Sequence, residues 1–310
     1  MDTCNSAEYT AYTTSRDLQY AGKSSITIAV CQPGNSDSVL DWNQMTPNPT
    51  TSIERPTPEP LNGKTIVVTG ASSGIGRAAA EVVAKHGANV VVAARRADLC
   101  AEVAEDIRKD GGEATWVQTD VTEHSDVVRM VRHTLDTYGK IDGAFNNAGV
   151  LLDTGRIHEM DADVLRRSWE VNVHGVWLCM KAELEAMIRQ ADGGSIVNDS
   201  SRNGLRADIK RPAYTATKHA VSGLTKAAAL DYARMNIRVN GICPGPIDTD
   251  MMLAVDRGDT EVRRRIESAV PLARYGQPEE VAELVAWLLS DRSSYVTGQM
   301  VGIDGGLLAS

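Results

Sequence analysis

From Leu61 onward, apolar residues fall into short β-branched runs separated by stretches with a helical period. Thr65–Val68 reads as a strand that ends in Thr69-Gly70 and leads into a helix from Ile75 to His86. Asn89–Ala93 is strand-like again, then come helical Ala97–Lys109, strand Ala114–Gln118 and helical Ser125–Tyr138. Strand Ala144–Asn146, a long helical stretch near Ala162–Gln190 and strand Ser195–Asn198 follow. A helix over about Tyr214–Met235, strand Arg238–Ile242, a helix over about Glu279–Leu289 and strand Met300–Ile303 complete the alternation. Short apolar strands separated by helices of ten or more residues predict an α/β fold. Its sheet would be mostly parallel, of about seven strands, doubly wound with helices on both faces. Ligands bind such sheets at the carboxyl ends of the strands. The alternation runs unbroken over 61–310, so one domain is expected there.

Residues 1–60 read differently. They are rich in Thr, Ser, Asn and Pro, with prolines at 33, 47, 49, 56, 58 and 60, and show no sustained period. This composition predicts a disordered or loosely attached tail, with one short strand at most over Ser25–Val30.

Composition narrows the function. A hydrophobic share of 42% and a charged share of 24% are those of a soluble globular protein. The net charge of −9 argues against binding nucleic acid by phosphate neutralisation. No apolar run is long enough to span a bilayer. The N-terminus lacks a basic segment followed by an apolar one, so a cytoplasmic protein is expected. Five scattered cysteines without a Cys-x-x-Cys pair, and no His-x-x-x-His, predict neither a disulfide framework nor a metal site.

The loop Thr69-Gly70-Ala71-Ser72-Ser73-Gly74-Ile75-Gly76 joins the first strand to the first helix. A dinucleotide pyrophosphate needs a tight turn, close backbone approach and a helix N-terminus with free N–H groups, and this loop offers all three. The same residues fit Gly-x-Ser-x-Gly, so a hydrolase with Ser72 as nucleophile is a rival, with His158, His174 or His219 as its base. The second strand ends in Ala94-Arg95-Arg96 and meets no carboxylate before Asp98. A cation here suits a 2′-phosphate, so NADP(H) is expected over NAD(H), with Arg95 the first candidate and Arg96 the second. Tyr214 and Lys218, at i and i+4, share a helix face. A free phenol titrates near about 10, and a neighbouring ammonium stabilises its phenolate, which suits Tyr214 to acid–base work.

With these motifs in order, 61–310 resembles the short-chain dehydrogenase/reductase family. The matching segments are Thr69–Gly76, Asn146-Asn147-Ala148-Gly149, Asn172 in Val171-Asn172-Val173, Ser201 thirteen residues before Tyr214, Tyr214 with Lys218, and Pro244-Gly245-Pro246-Ile247-Asp248-Thr249. The resemblance implies a Rossmann-like fold and hydride exchange between a nicotinamide and a small carbonyl or secondary alcohol. In that division of labour Tyr214 is the general acid/base, and Ser201 bonds the substrate oxygen. Lys218 tunes Tyr214 and binds ribose hydroxyls, and Asn172 holds a relay water. Cofactor contacts would come from Gly70, Ser72, Ser73, Gly74, Ile75, Gly76, Arg95, Arg96, Asp120, Val121, Asn147, Ala148, Gly149, Pro244, Gly245, Ile247 and Thr249, beside Tyr214 and Lys218. A dinucleotide sensor without catalysis is the other reading of this fold. The family also implies a homodimer or homotetramer, and a lid between Thr249 and Gly276 that decides the substrate. One departure stands out: Asp199–Arg211 is charged where many relatives are apolar, which suggests either a solvated loop or a substrate that is polar, anionic or rich in hydroxyl or keto groups, met by Arg206 and Lys210.

Overall fold

A computed structural model describes residues 60–153 and 155–310. The expected tail, 1–60, lies outside the described residues except for Pro60.

Seven strands form one sheet in the order β3-β2-β1-β4-β5-β6-β7, all parallel. The strands are β1 (Thr65–Thr69), β2 (Asn89–Ala94), β3 (Glu113–Gln118), β4 (Gly143–Asn146), β5 (Gly194–Asp199), β6 (Ile237–Pro244) and β7 (Met300–Ile303). The central strands are buried on both faces, which is why β1 is a continuous Thr-Ile-Val-Val-Thr run without alternation. Pleating sends Ile66, Val68, Val90 and Val92 to one face and Val67, Val91 and Ala93 to the other.

Two cores result. On the first face pack α1 (Gly74–Lys85), α2 (Ala97–Lys109) and α9 (Pro278–Leu289), through Ala79, Val83, Val103, Ile107, Val285 and Leu289. On the second pack α3 (His124–Tyr138), α5 (Val176–Gln190) and α6 (Pro212–Tyr232), through Met130, Leu184, Met187 and Val221. The chain leaves β1 towards β2 and later returns to place β4 on β1's other side, so the sheet reverses direction between β1 and β4. The crevice at their carboxyl ends is where such sheets bind ligands.

Two stretches depart from the simple alternation. The long helix expected near Ala162–Gln190 is interrupted: α4 (Ala162–Trp169) passes through a π-helical turn, Glu170–Gly175, before α5. Gly175 lets this turn lie against Val121, since a Cβ there would sit 2.7 Å from Val121 Cγ2. The expected lid is two helices, α7 (Asp250–Asp256) and α8 (Thr260–Ala269). Arg263 of α8 clamps Asp248 through paired bonds of 3.0 and 2.8 Å and lies 4.4 Å over the Tyr275 ring.

Beneath the crevice is a buried polar group. Asn146, at the end of β4, donates to Glu183 Oε2 of α5 at 3.0 Å and to Asn198 Oδ1 of β5 at 3.1 Å. Glu183 Oε1 and Asn146 Oδ1 have no partner. Burial pushes the Glu183 carboxyl up from 4.5 to about 7, against the pull of the Asn146 bond. Between those two values the folded protein holds a proton that the unfolded chain has released, so this group's contribution to stability falls as pH rises. The loss is complete only about one unit above pH 7. Glu183→Gln keeps the acceptor and removes the charge. It should match the unaltered chain near pH 4 and exceed it at pH 8 by on the order of 3 kcal/mol in urea unfolding. Equal stabilities at pH 8 would contradict this.

Candidate active site

The crevice opens into a cavity of about 810 Å³. Its floor is built by stitching two loops together. Thr69 Oγ1 accepts from Asn147 N at 3.1 Å and Ala148 N at 3.3 Å, while Asn147 Nδ2 donates to Thr69 O and Gly70 O. The fit leaves no space for side chains: a Cβ on Gly76 would stand 2.4 Å from Gly70 O, and one on Gly70 would stand 2.8 Å from Ala148 Cα. Gly70 also has φ +65°, open to glycine at no steric cost.

The N-terminus of α1 faces this floor without a side-chain cap at Ser73 and without an acidic residue in its first turn. Its backbone N–H groups are therefore available to an anion. Ser72, Ser73, Gly74 and Ile75 line the cavity at this end, and Gly76 lies behind them as the packing glycine. Arg95 and Arg96 both reach the wall, but only Arg96 is tied to the loop. Its guanidinium donates to Ser72 Oγ at 2.9 Å and Ser73 Oγ at 2.7 Å. A helix N-terminus with free N–H groups beside a glycine loop suits the pyrophosphate of a dinucleotide.

The Ser72 hydrolase reading is overturned. Ser72 Oγ is occupied by Arg96, and no histidine lines the cavity. His219 bonds Thr215 O, His174 stacks on Trp177 and His158 is exposed at the surface.

Along the adjacent wall, Asp120, Val121, Ala148 and Gly149 line the cavity. Asp120 does not cap a helix; its Oδ1 accepts from Thr122 N and Oγ1. Pro244, Gly245, Ile247 and Thr249 line the opposite side.

Ser201, Tyr214 and Lys218 converge on the same cavity from the end of β5 and from α6. Lys218 Nζ is 5.5 Å from the Tyr214 ring centroid. Ser201 sits in extended backbone, and its Oγ accepts from Asn203 N at 3.1 Å. Asn172 does not line the cavity. Its amide is spent on Val150 N at 2.8 Å, Val150 O at 2.9 Å and Thr217 Oγ1 at 3.2 Å, which pins the π turn against α6.

Burial pushes the Tyr214 phenol above its ordinary value; Lys218 pulls it down and Asp199 pushes it up again, so the net shift is upward. The neighbouring ammonium therefore does not by itself make Tyr214 acidic. Lys218 is held charged despite burial, chiefly by Asp199 and then by Tyr214.

Two carboxylates bonded to α6 stand at the site without having been singled out from the sequence. Asp153 is 1% exposed, and its Oδ2 accepts from Ala213 N at 3.0 Å and Tyr214 N at 3.2 Å. It caps α6 from 60 residues away, where Pro212 supplies no N–H and Arg211 no cap. Nothing local marks it. Asp199 was visible only as part of the charged stretch Asp199–Arg211, and its pairing with Lys218 was not.

The basic loop takes a different part from the one expected. Arg206 donates to Leu307 O at 2.8 Å and Ser310 O at 3.3 Å, and neither it nor Lys210 lines the cavity. Arg202, paired with Asp208, and Arg211, bonded to Asp153 O, do line it. Around them the wall is largely apolar, with Val150, Leu151, Leu152, Ile209, Met251, Met252, Val255 and Ile266.

A family model described as "Enoyl-(Acyl carrier protein) reductase" matches residues 70–308. A 2,5-dichloro-2,5-cyclohexadiene-1,4-diol dehydrogenase of Sphingobium indicum is 40% identical over 250 residues, covering 80% of this chain and 98% of the relative. A short-chain type dehydrogenase/reductase from Mycobacterium marinum shares the fold at a TM-score of 0.77 and 36% identity, over 81% of this chain and 97% of the other. Actinorhodin polyketide ketoreductase, solved with NADPH, matches at a TM-score of 0.76 and 34% identity, over 80% of this chain and 98% of the other. With its parallel sheet, glycine loop and Tyr214–Lys218 pair, the chain belongs to the short-chain dehydrogenase/reductase family and is an NAD(P)-dependent oxidoreductase.

Proposed function

We propose that this oxidoreductase interconverts a secondary alcohol and its ketone, with Tyr214 as the acid–base group and NADP(H) preferred over NAD(H). The observation that carries the reading is the convergence of Ser201, Tyr214 and Lys218 on the cavity that also holds the α1 N-terminus and Arg96.

The bound nicotinamide supplies or accepts the hydride. The chain does the rest. The Ser201 hydroxyl donates to the substrate oxygen and stabilises charge that develops there. Tyr214 gives its proton to that oxygen in reduction and takes it back in oxidation. Lys218 holds the phenolate that reduction leaves behind and keeps a donor for a ribose hydroxyl. Asn172 fixes the π turn behind Lys218, and a water held on that turn would link the ammonium to solvent. Because Tyr214 keeps its proton near neutral pH, reduction is favoured there, and oxidation strengthens as pH rises.

The apolar wall formed by Leu151, Leu152, Ile209, Met251 and Met252 suits a hydrocarbon ring, with polar contact left to Arg202, Asp208 and Arg211. The Sphingobium relative acts on a cyclic diol, which supports a ring-borne hydroxyl or ketone as substrate. We also infer a homo-oligomer, because α4, α5 and α6 carry exposed large apolar residues, Leu165, Trp169, Trp177 and Leu230.

Tyr214→Phe should abolish turnover of cyclic ketones, by a factor of about 100 or more, while quenching of tryptophan emission by NADPH persists. Retained turnover would contradict the role. Arg96→Ala should raise KM for NADPH about tenfold and leave KM for NADH within about twofold, a loss of about 1.4 kcal/mol specific to the phosphate. Equal effects on both cofactors would remove the assignment of Arg96.

A further inference from the structure

β5 is uncharged until its last residue, and there it ends in a carboxylate at the cavity wall. Lys218 Nζ donates to the Asp199 backbone oxygen at 2.7 Å and to its Oδ2 at 3.3 Å. The two side chains keep only 3% and 13% of their exposure, Lys218 and Asp199 respectively. An ammonium has three N–H bonds. One residue takes two of them, leaving one for every other task at Nζ. Nor is Asp199 saturated, because its Oδ1 is buried without a partner.

Lys218 Nζ lies 5.5 Å from the Tyr214 ring centroid, and a lone ammonium there would draw the phenol towards ionisation. An ammonium in contact with a carboxylate is a neutral pair, and its field at the phenol is much weaker than that of the cation alone. We propose that Asp199 is a positioning residue for proton transfer. It holds the Lys218 ammonium and offsets its charge, so that Tyr214 keeps its proton near neutral pH and is set to give it to a carbonyl. The proposal rests on the reading of Tyr214 as the acid–base group and adds what sets its protonation state.

Other groups face Tyr214. From the loop after β4, Asp153 bonds its backbone N and also disfavours the phenolate. The Ser201 hydroxyl, after β5, favours it. Arg211 is bonded to Asp153 O, the Cys243 thiol of β6 lies near Lys218, and Arg202 is paired with Asp208. Arg167 of α4 and Glu170 of the π turn line the same cavity. Among the described residues, only Asp199 both bonds Lys218 Nζ and carries a charge opposite to it.

The test titrates the full chain by its near-ultraviolet phenolate absorbance, without substrate. The Tyr214 signal is the difference between proteins with and without Tyr214→Phe in the same background. Asp199→Asn should lower the Tyr214 midpoint by about one pH unit or more, a roughly tenfold gain in phenolate at fixed pH. Asp199→Glu, which restores the charge, should shift it by less than about a third of that. If Asp199→Asn does not fold, Asp199→Thr removes the same charge and is read the same way. A midpoint in the uncharged variant no lower than in the unaltered chain overturns the proposal. That includes the case in which neither ionises before unfolding. Because no turnover is required, this result is distinct from failure of the oxidoreductase chemistry, which would show as a Tyr214→Phe protein as active as the unaltered one.

Discussion

An ammonium almost wholly withdrawn from water must be paired, and the site is arranged around that requirement at Lys218. The partner comes from the end of β5, so the charge of α6 is neutralised by the sheet it packs on. The same contacts tie the helix to the strand and fix where Tyr214, one turn earlier, meets the cavity. α6 in turn is held at its start by Asp153 and along its length by Thr217, which accepts from Asn172. Sheet, π turn and helix therefore hold the candidate reacting groups as one unit.

The other half of the cavity depends on the reversal of the sheet between β1 and β4. Two strands end side by side there, and their loops leave in different directions. Thr69 and Asn147 bond the loops to one another, and glycines at 70 and 76 allow a separation that any side chain would prevent. The result is a closely packed floor that meets the uncapped N–H groups of α1. The far wall is formed by α7 and α8, which carry Met251, Met252 and Ile266. Those helices are anchored by Arg263 on Asp248.

The sheet was legible because parallel strands buried on both faces leave unbroken apolar runs, as Thr65–Thr69 does. The π turn was not legible, since Glu170–Gly175 keeps the helical period on either side of it. α7 and α8 were missed as helices because their faces are amphipathic over too few residues to separate from a charged loop. Within the site, contiguous motifs were readable, while pairs distant in sequence were not. Asp153 caps a helix 60 residues on, and Asp199 finds Lys218 across a crossover. Arg206 misled for the same reason: its charge was visible, but its partners at Leu307 and Ser310 were not.

The most direct test of the account follows the hydride itself. A panel of cyclic ketones is reduced with NADPH deuterated at the nicotinamide C4, and the alcohols are analysed by mass spectrometry. Deuterium is expected on the carbinol carbon in the product of the unaltered chain, with no labelled product from Tyr214→Phe. Consumption of NADPH without label in any alcohol, or labelled alcohol from Tyr214→Phe at the unaltered rate, would contradict it.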